Sequence, residues 1–108
     1  MKLGVTEHMD CAHHLPDHAK CGRQHGHTYR VDVVIEGKHD GGMMLDFAIL
    51  KQNIREVLAQ YDHRDLNDFL PYPSVENICV LLKEQLQKKI KFPFTLRVWE
   101  GEGKWAEL

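Results

Sequence analysis

The chain has 108 residues, of which 43 % are apolar, and its formal net charge at pH 7 is −2. This length predicts a single domain, residues 1–108, with a modest core, because so small a domain buries only about 60–65 % of the surface of its unfolded chain. The weak negative charge gives no basic surface for nucleic acid. No apolar run approaches the roughly 18 residues of a membrane-spanning helix.

The cysteine count and the N-terminal sequence bear on the compartment. Three cysteines form no disulfide framework, and the first residues show no apolar region of a signal peptide. We therefore expect free thiols and a cytoplasmic location. Neither nucleic acid nor a membrane is expected as a partner.

Two stretches near the N-terminus alternate between apolar and polar residues, which is typical of strands with one buried face. They are residues 3–13 and 25–36, and a polar loop over about 14–24 joins them, so we predict a hairpin. Glu7 interrupts the apolar face of the first strand, and nothing in the sequence explains it.

Two helices are predicted in the middle of the chain. After a turn at residues 37–42, residues 43–45 are expected to extend the strand pair. Asp46 can cap a helix whose apolar residues continue to Tyr61, and Ser74 can cap a second helix that reaches Ile90 before Pro93.

Alternation returns in residues 94–100, and a Gly-Glu-Gly turn then allows residues 104–108 to pair back as a last strand. The predicted order is ββααββ. Segregated antiparallel hairpins with a pair of helices indicate an α+β domain, with the helices on one face of the sheet.

Three histidines form the strongest candidate site. His25 and His27 are two residues apart in a strand and therefore point to the same face. His13 ends the same face of the partner strand. Three neutral imidazoles with an open fourth position are typical of catalytic zinc, so we predict Zn²⁺ on these three residues. His8 and His18 are expected to be solvated, and His14 is a weaker ligand candidate.

Cys21 precedes His25 by four residues, in the polar loop. It fits two roles equally well: a fourth ligand that closes a structural zinc site, or a base or nucleophile beside an open zinc. Cys11 and Cys79 lie on apolar faces and are expected to be inert core thiols.

Two acidic residues are further candidates. Asp62 could orient His63 as in a proton relay, although adjacent residues seldom point the same way and the pair taken alone indicates only two solvated residues. Glu100 shares the apolar face of its strand, where a carboxylate needs a partner. It could accept two parallel N–H bonds from a guanidine-like edge, which occurs on Arg and on 2-amino-4-oxo heterocycles such as pterin and guanine, unless the strand has already left the core.

Taken together, these residues resemble the 6-pyruvoyltetrahydropterin synthase / 6-carboxytetrahydropterin synthase family along nearly the whole chain. The matching segments are CAHHLP at 11–16, CGRQHGH at 21–27, LDF at 45–47, YDHRDLN at 61–67, PSVEN at 73–77 and VWE at 98–100. Ser74 stands where the family usually has threonine, and Gly101 where it often has threonine. The three residues between Cys21 and His25 resemble the carboxytetrahydropterin synthases of 7-deazaguanine (queuosine, archaeosine) biosynthesis.

The resemblance implies a fold, a reaction and a set of roles. The fold would be the tunnelling fold, whose subunits close a barrel on oligomerisation, with trimers stacked into hexamers. The implied substrate is 7,8-dihydroneopterin triphosphate, with Cys21, Asp62 and His63 catalytic. The implied substrate-binding residues are Glu100, Ser74 and Glu76. A 6-pyruvoyltetrahydropterin synthase and a non-catalytic zinc module remain the alternatives.

Overall fold

Four antiparallel strands and two helices make up the computed structural model, which describes all residues, Met1–Leu108. In chain order the elements are β1 (Lys2–His13), β2 (His25–Glu36), α1 (Phe47–Leu58), α2 (Val75–Gln87), β3 (Phe94–Glu100) and β4 (Trp105–Glu107). The strands lie in the order β1-β2-β3-β4. The predicted α+β fold and the ββααββ order are confirmed.

The long β1–β2 hairpin sets the register of the candidate site. Cys11 lies opposite His27, and His13 lies opposite His25. Towards the middle of the hairpin the same face carries fully buried residues such as Met9, Tyr29 and Val31, which pack in the core beneath the helices. The histidines therefore lie where the helix-covered face of the sheet reaches the end of the hairpin.

Glu7, unexplained by the sequence, is paired in the structure. Its carboxylate lies 3.5 Å from Arg55 and 3.8 Å from Lys51, both on α1. Arg55 also donates to the carbonyl oxygen of His8, at 3.0 Å. The ion pairs of Glu7 thus link α1 to β1, the edge strand of the sheet.

The helix caps agree with prediction, and some boundaries do not. Asp46 accepts the backbone N–H of Ala48, and Ser74 accepts that of Asn77. Both helices end about three residues earlier than their apolar pattern suggested. Residues 43–45 do not extend the strand pair, because only one bridge, between Asp40 and Met43, forms after the turn. Neither helix is long and apolar enough to cross a membrane.

The face of the sheet away from the helices carries a polar network centred on Asp32. Its carboxylate accepts hydrogen bonds from Thr6 at 2.6 Å, Arg30 at 2.9 Å and Trp99 at 2.7 Å. Arg97 lies over the ring of Trp105, 3.8 Å from its centroid. Side chains from all four strands therefore meet on this face.

Candidate metal centre and active site

The rings of His13, His25 and His27 converge on one point. Their centroids are 4.6 to 5.0 Å apart, and one ring nitrogen from each lies within 4.8 Å of the other two. The strand register produces this arrangement, because two histidines share the face of β2 and the third lies opposite one of them on β1.

Backbone carbonyl groups fix the tautomers of two of the rings. The Nδ1 atom of His13 lies 2.8 Å from the carbonyl oxygen of Pro73, and that of His25 lies 2.7 Å from the carbonyl oxygen of Arg23. A carbonyl oxygen can only accept, so each Nδ1 carries a proton, and in the neutral ring Nε2 is then the nitrogen with the free lone pair. Metal-binding histidines are commonly oriented in this way.

The cluster leaves polar atoms without partners. The Nε2 atoms of His13 and His27 are buried and make no hydrogen bond. Burial, the largest influence, lowers the pKa of His27, which favours the neutral ring that a metal requires. Three convergent imidazoles, two of them with an Nε2 atom that has no partner, fit a zinc ion, so the donor set suits the predicted metal.

Glu100 faces into the fold next to this cluster. It lies opposite Tyr29 in the strand pairing, and its carboxylate is 3.7 Å from His27 Nε2. Its side chain is only 18 % exposed and also lies 4.0 Å from Lys104. The strand has therefore not left the core at residue 100, and a carboxylate is available beside the histidines.

Tyr29 was not predicted to belong to the site. Its side chain is buried, and its hydroxyl lies 3.3 Å from His13 Nδ1. Burial, with a smaller contribution from Glu100, raises the pKa of the phenol, so it stays protonated. Its position two residues after His27 on the same face was the signal that could have identified it.

Cys21 lies in the loop and is half-buried. Its sulfur does not join the cluster of ring nitrogens that approach within 4.8 Å of one another. Cys11 and Cys79 are buried as expected, and burial raises the pKa of the Cys11 thiol to about 11 and raises that of Cys79 as well. Cys21 is therefore the accessible thiol nearest in sequence to the histidines.

Asp62 and His63 do form a pair, which the sequence alone did not favour. His63 Nδ1 lies 3.1 Å from the Asp62 carboxylate, and the backbone of His63 has a left-handed φ of 61°. Asp62 also accepts the backbone N–H of Asp10, and this bond is the main reason that the pKa of Asp62 is lowered. The pair is bonded to the edge of β1 at Asp10, and the His63 side chain is 78 % exposed.

The start of α2 lies beside the cluster, because Pro73 contacts His13. Ser74, the next residue, uses its hydroxyl to cap the helix, and Glu76 is exposed in the first turn.

The sequence was compared with protein families, and the model of the 6-pyruvoyl tetrahydropterin synthase family matches residues 2–108. The chain belongs to this family. A protein of Archaeoglobus fulgidus provisionally named 6-carboxy-5,6,7,8-tetrahydropterin synthase is 41 % identical over 109 residues, covering 100 % of this chain and 95 % of the relative.

Two further comparisons add to the family match. The dihydroneopterin monophosphate aldolase of Pyrococcus furiosus is 36 % identical over 87 residues, covering 78 % of this chain and 76 % of the relative. The solved 6-pyruvoyl tetrahydropterin synthase of Caenorhabditis elegans superimposes with a TM-score of 0.90 at 22 % identity, covering 100 % of this chain and 94 % of that one. This pterin synthase family member is thus an enzyme of lyase type with the fold of its relatives.

Proposed function

We propose that this pterin synthase is a zinc-dependent 6-carboxy-5,6,7,8-tetrahydropterin synthase of 7-deazaguanine biosynthesis. It converts 7,8-dihydroneopterin triphosphate and water into 6-carboxytetrahydropterin, acetaldehyde and triphosphate. The observation that carries the proposal is the 3.7 Å distance between Glu100 and His27, which brings an inward-facing carboxylate next to three convergent imidazoles.

Glu100 binds the substrate's amino-pyrimidine edge. A carboxylate accepts two parallel N–H bonds from such an edge, and the low exposure of Glu100 strengthens both. Ser74 and Glu76 lie at the start of α2, just after Pro73, whose carbonyl oxygen bonds to His13, and we assign them to the rim of the same pocket. The departure from threonine at position 74 keeps a hydroxyl there.

His13, His25 and His27 hold the zinc ion, which polarises the side-chain hydroxyls of the substrate when it is bound. Tyr29 and the carbonyl oxygen of Pro73 hold the ring of His13, and the carbonyl oxygen of Arg23 holds that of His25. Cys21 removes a proton from the side chain of the substrate as a thiolate, and His63, oriented by Asp62, exchanges protons on the opposite side.

His63 reaches the site of a neighbouring subunit in this proposal. It is exposed next to the outer edge of β1, whereas Glu100 lies on β3, beyond β2. A second copy that pairs with the edge of β1 brings the two together, so the active unit is a homo-oligomer, with a hexamer of two trimers as the assembly. A cytoplasmic location agrees with the free thiol of Cys21.

Two other reactions start from the same kind of substrate. A 6-pyruvoyl tetrahydropterin synthase eliminates triphosphate without losing acetaldehyde. The similarity to the Pyrococcus aldolase favours a retro-aldol cleavage between C1′ and C2′ of dihydroneopterin monophosphate as the second candidate. The closed structural zinc module has less support, because Cys21 stands apart from the histidine cluster.

Product analysis tests the proposal. The zinc-loaded protein is incubated with dihydroneopterin triphosphate and, in parallel, with the monophosphate, and the products are identified by mass spectrometry. We expect 6-carboxytetrahydropterin and acetaldehyde from the triphosphate. A pyruvoyl product, or 6-hydroxymethyldihydropterin with glycolaldehyde phosphate, would assign the chain to one of the other two reactions.

A further inference from the structure

The loop that carries Cys21 is closed by its own backbone. The N–H of Leu15 donates to the carbonyl oxygen of Cys21 at 2.7 Å, and the N–H of His18 donates to the carbonyl oxygen of Leu15 at 3.1 Å. The second bond spans Pro16 and Asp17, and Asp17 has a left-handed φ of 63°, as the third residue of a type II turn requires. Cys21 therefore ends a short loop of defined shape.

The side chain of His18 lies at the centre of this loop. Its Nδ1 atom accepts the backbone N–H of Cys21 at 2.9 Å and that of Lys20 at 3.2 Å. Asp, Asn, Ser and Thr side chains accept from following backbone N–H groups in the same way in turns and helix caps. The ring is consequently neutral, with its proton on Nε2, because an acceptor at Nδ1 needs a free lone pair.

The residue after Cys21 closes the other side. A Cβ on Gly22 would lie 2.7 Å from the carbonyl oxygen of His18, closer than side chains are found. Glycine thus permits the approach of residue 22 to residue 18. Cys21 is held at its N–H by the imidazole, at its carbonyl group by Leu15, and at its following residue by close packing.

We propose that His18 is a positioning residue for Cys21: its imidazole fixes the backbone of the cysteine and so directs the thiol toward the histidine cluster. The inference rests on the proposed function for the role of Cys21 as a base. It follows because the loop has little side-chain packing, since residues 16–20 are exposed, and because no hydrogen bond holds the Cys21 thiol, so that the direction of the thiol depends on the bonds to its backbone.

Two substitutions at position 18 separate positioning from general stability. His18→Ala removes the acceptor. His18→Asn keeps one, because the Oδ1 of asparagine is the same number of bonds from the backbone as the Nδ1 of histidine. His39→Ala is the matched control: it removes another exposed histidine, from the loop between β2 and α1.

Two quantities are measured on the zinc-loaded protein. The first is the hydrogen exchange rate of the Cys21 and Lys20 amides by NMR. We expect exchange in His18→Ala to be faster, on the order of two- to tenfold, and to return towards the wild-type rate in His18→Asn. The second is turnover. Because a displacement of about 1 Å can cost up to a hundredfold, kcat should fall on the order of ten- to a hundredfold in His18→Ala, with KM and bound zinc unchanged, and recover in His18→Asn.

Unchanged protection of the Cys21 amide in His18→Ala would overturn the proposal, and so would equal loss of kcat in the alanine and asparagine variants. If the wild-type protein turns over no pterin, the proposed function fails, but the exchange measurement still decides whether His18 holds Cys21. If kcat falls as far in His39→Ala as in His18→Ala, the proposal is also overturned, because replacement of any loop histidine would then have the same effect.

Discussion

His13 is the one polar side chain among the fully buried residues, at 1 % exposure. A buried imidazole is retained at a cost in free energy unless its nitrogens are satisfied. Pro73 satisfies Nδ1, while Nε2 points at the other two rings with no partner. At the scale of single residues, the histidines of the site thus differ from the exposed histidines by lower exposure and, for His13 and His25, by the carbonyl group that orients the ring.

Replacement of Cys21 by alanine distinguishes the two hypotheses for this protein, an enzyme with an open zinc site and a non-catalytic zinc module. As a base at an open site, Cys21 transfers protons and does not bind metal, so Cys21→Ala should keep zinc and thermal stability but lose roughly 10²–10⁴-fold in turnover. Metal content by atomic absorption and kcat for dihydroneopterin triphosphate are the measurements.

His25→Ala is the matched variant, because it should lose both zinc and activity while the helix signal in circular dichroism remains. Cys11→Ala and Cys79→Ala should affect packing alone, since both thiols are buried. A joint loss of zinc and stability in Cys21→Ala would contradict the open site and indicate a fourth ligand.

Replacement of Glu100 by glutamine tests recognition of the pterin. The variant keeps the size of the side chain but loses the charge, and an amide cannot accept both N–H bonds of the amino-pyrimidine edge. Charge-assisted bonds are worth roughly 1.5–3 kcal/mol, so affinity for a pterin product should fall about ten- to a hundredfold by calorimetric titration. Unchanged affinity would remove Glu100 from the site.

At the scale of elements, Asp32 connects three strands through the open face of the sheet. Burial opposes ionisation of this carboxyl, but hydrogen bonds from Thr6, Arg30 and Trp99 outweigh it and lower the pKa of Asp32. A carboxyl group whose pKa is lowered on folding stabilises the fold above its unfolded pKa of about 3.9, and the stabilisation is lost as the pH falls through the lower, folded value.

Asp32→Asn should therefore reduce the free energy of unfolding by about 1–3 kcal/mol at pH 7. The asparagine NH₂ group is itself a donor, so it cannot accept the hydrogen bond of at least one of Thr6, Arg30 and Trp99. The difference between wild type and variant, measured by urea unfolding, should stay constant from about pH 8 to 5 and shrink only below about pH 4. A difference that shrinks already near pH 6 would assign the effect to another group.

The strands and the caps were readable in the sequence because their signals are local. Alternation predicted β1 and β2 to within about one residue, and Asp46 and Ser74 were identified as caps from their side-chain chemistry. Same-face parity also predicted which three histidines converge, since a strand fixes the direction of every second side chain.

Other features depend on backbone conformations that periodicity does not reveal. Asp62 pairs with His63 while the backbone of His63 is left-handed. Residues other than glycine seldom adopt this conformation, so it could not be located from the sequence. The function of His18 as an acceptor depends on the closure of its loop. The prediction for residues 43–45 was wrong because the turn before them leaves the sheet after a single bridge.

At the scale of the whole molecule, the outer edge of β1 is unpaired over the first half of this 12-residue strand. The segment after α1 covers the second half, where Asp10 bonds to Asp62 and His63 and Ala12 bridges to Asp65. A long exposed edge readily pairs with another chain. Closure of the sheet into a barrel by further subunits remains a prediction, and it would also bring His63 to a neighbouring site.

Hybrid oligomers test this shared site. Cys21→Ala and His63→Ala are each expected to be inactive, but when the two proteins are unfolded together and refolded, mixed oligomers contain some sites with both groups intact. Part of the activity should therefore return, measured against each variant refolded alone. If mixed oligomers form, as shown by native mass spectrometry with one variant isotopically labelled, and remain inactive, the two residues act within one chain.

All three metal-directed imidazoles belong to one hairpin, on strands that are adjacent both in the chain and in the sheet. The C-terminal half of the chain supplies no nitrogen to the cluster. Under the proposed function, a single folded subunit would therefore bind the ion without first assembling. Metal binding and assembly would then be separate steps of maturation, and the complete catalytic apparatus would appear only when subunits meet.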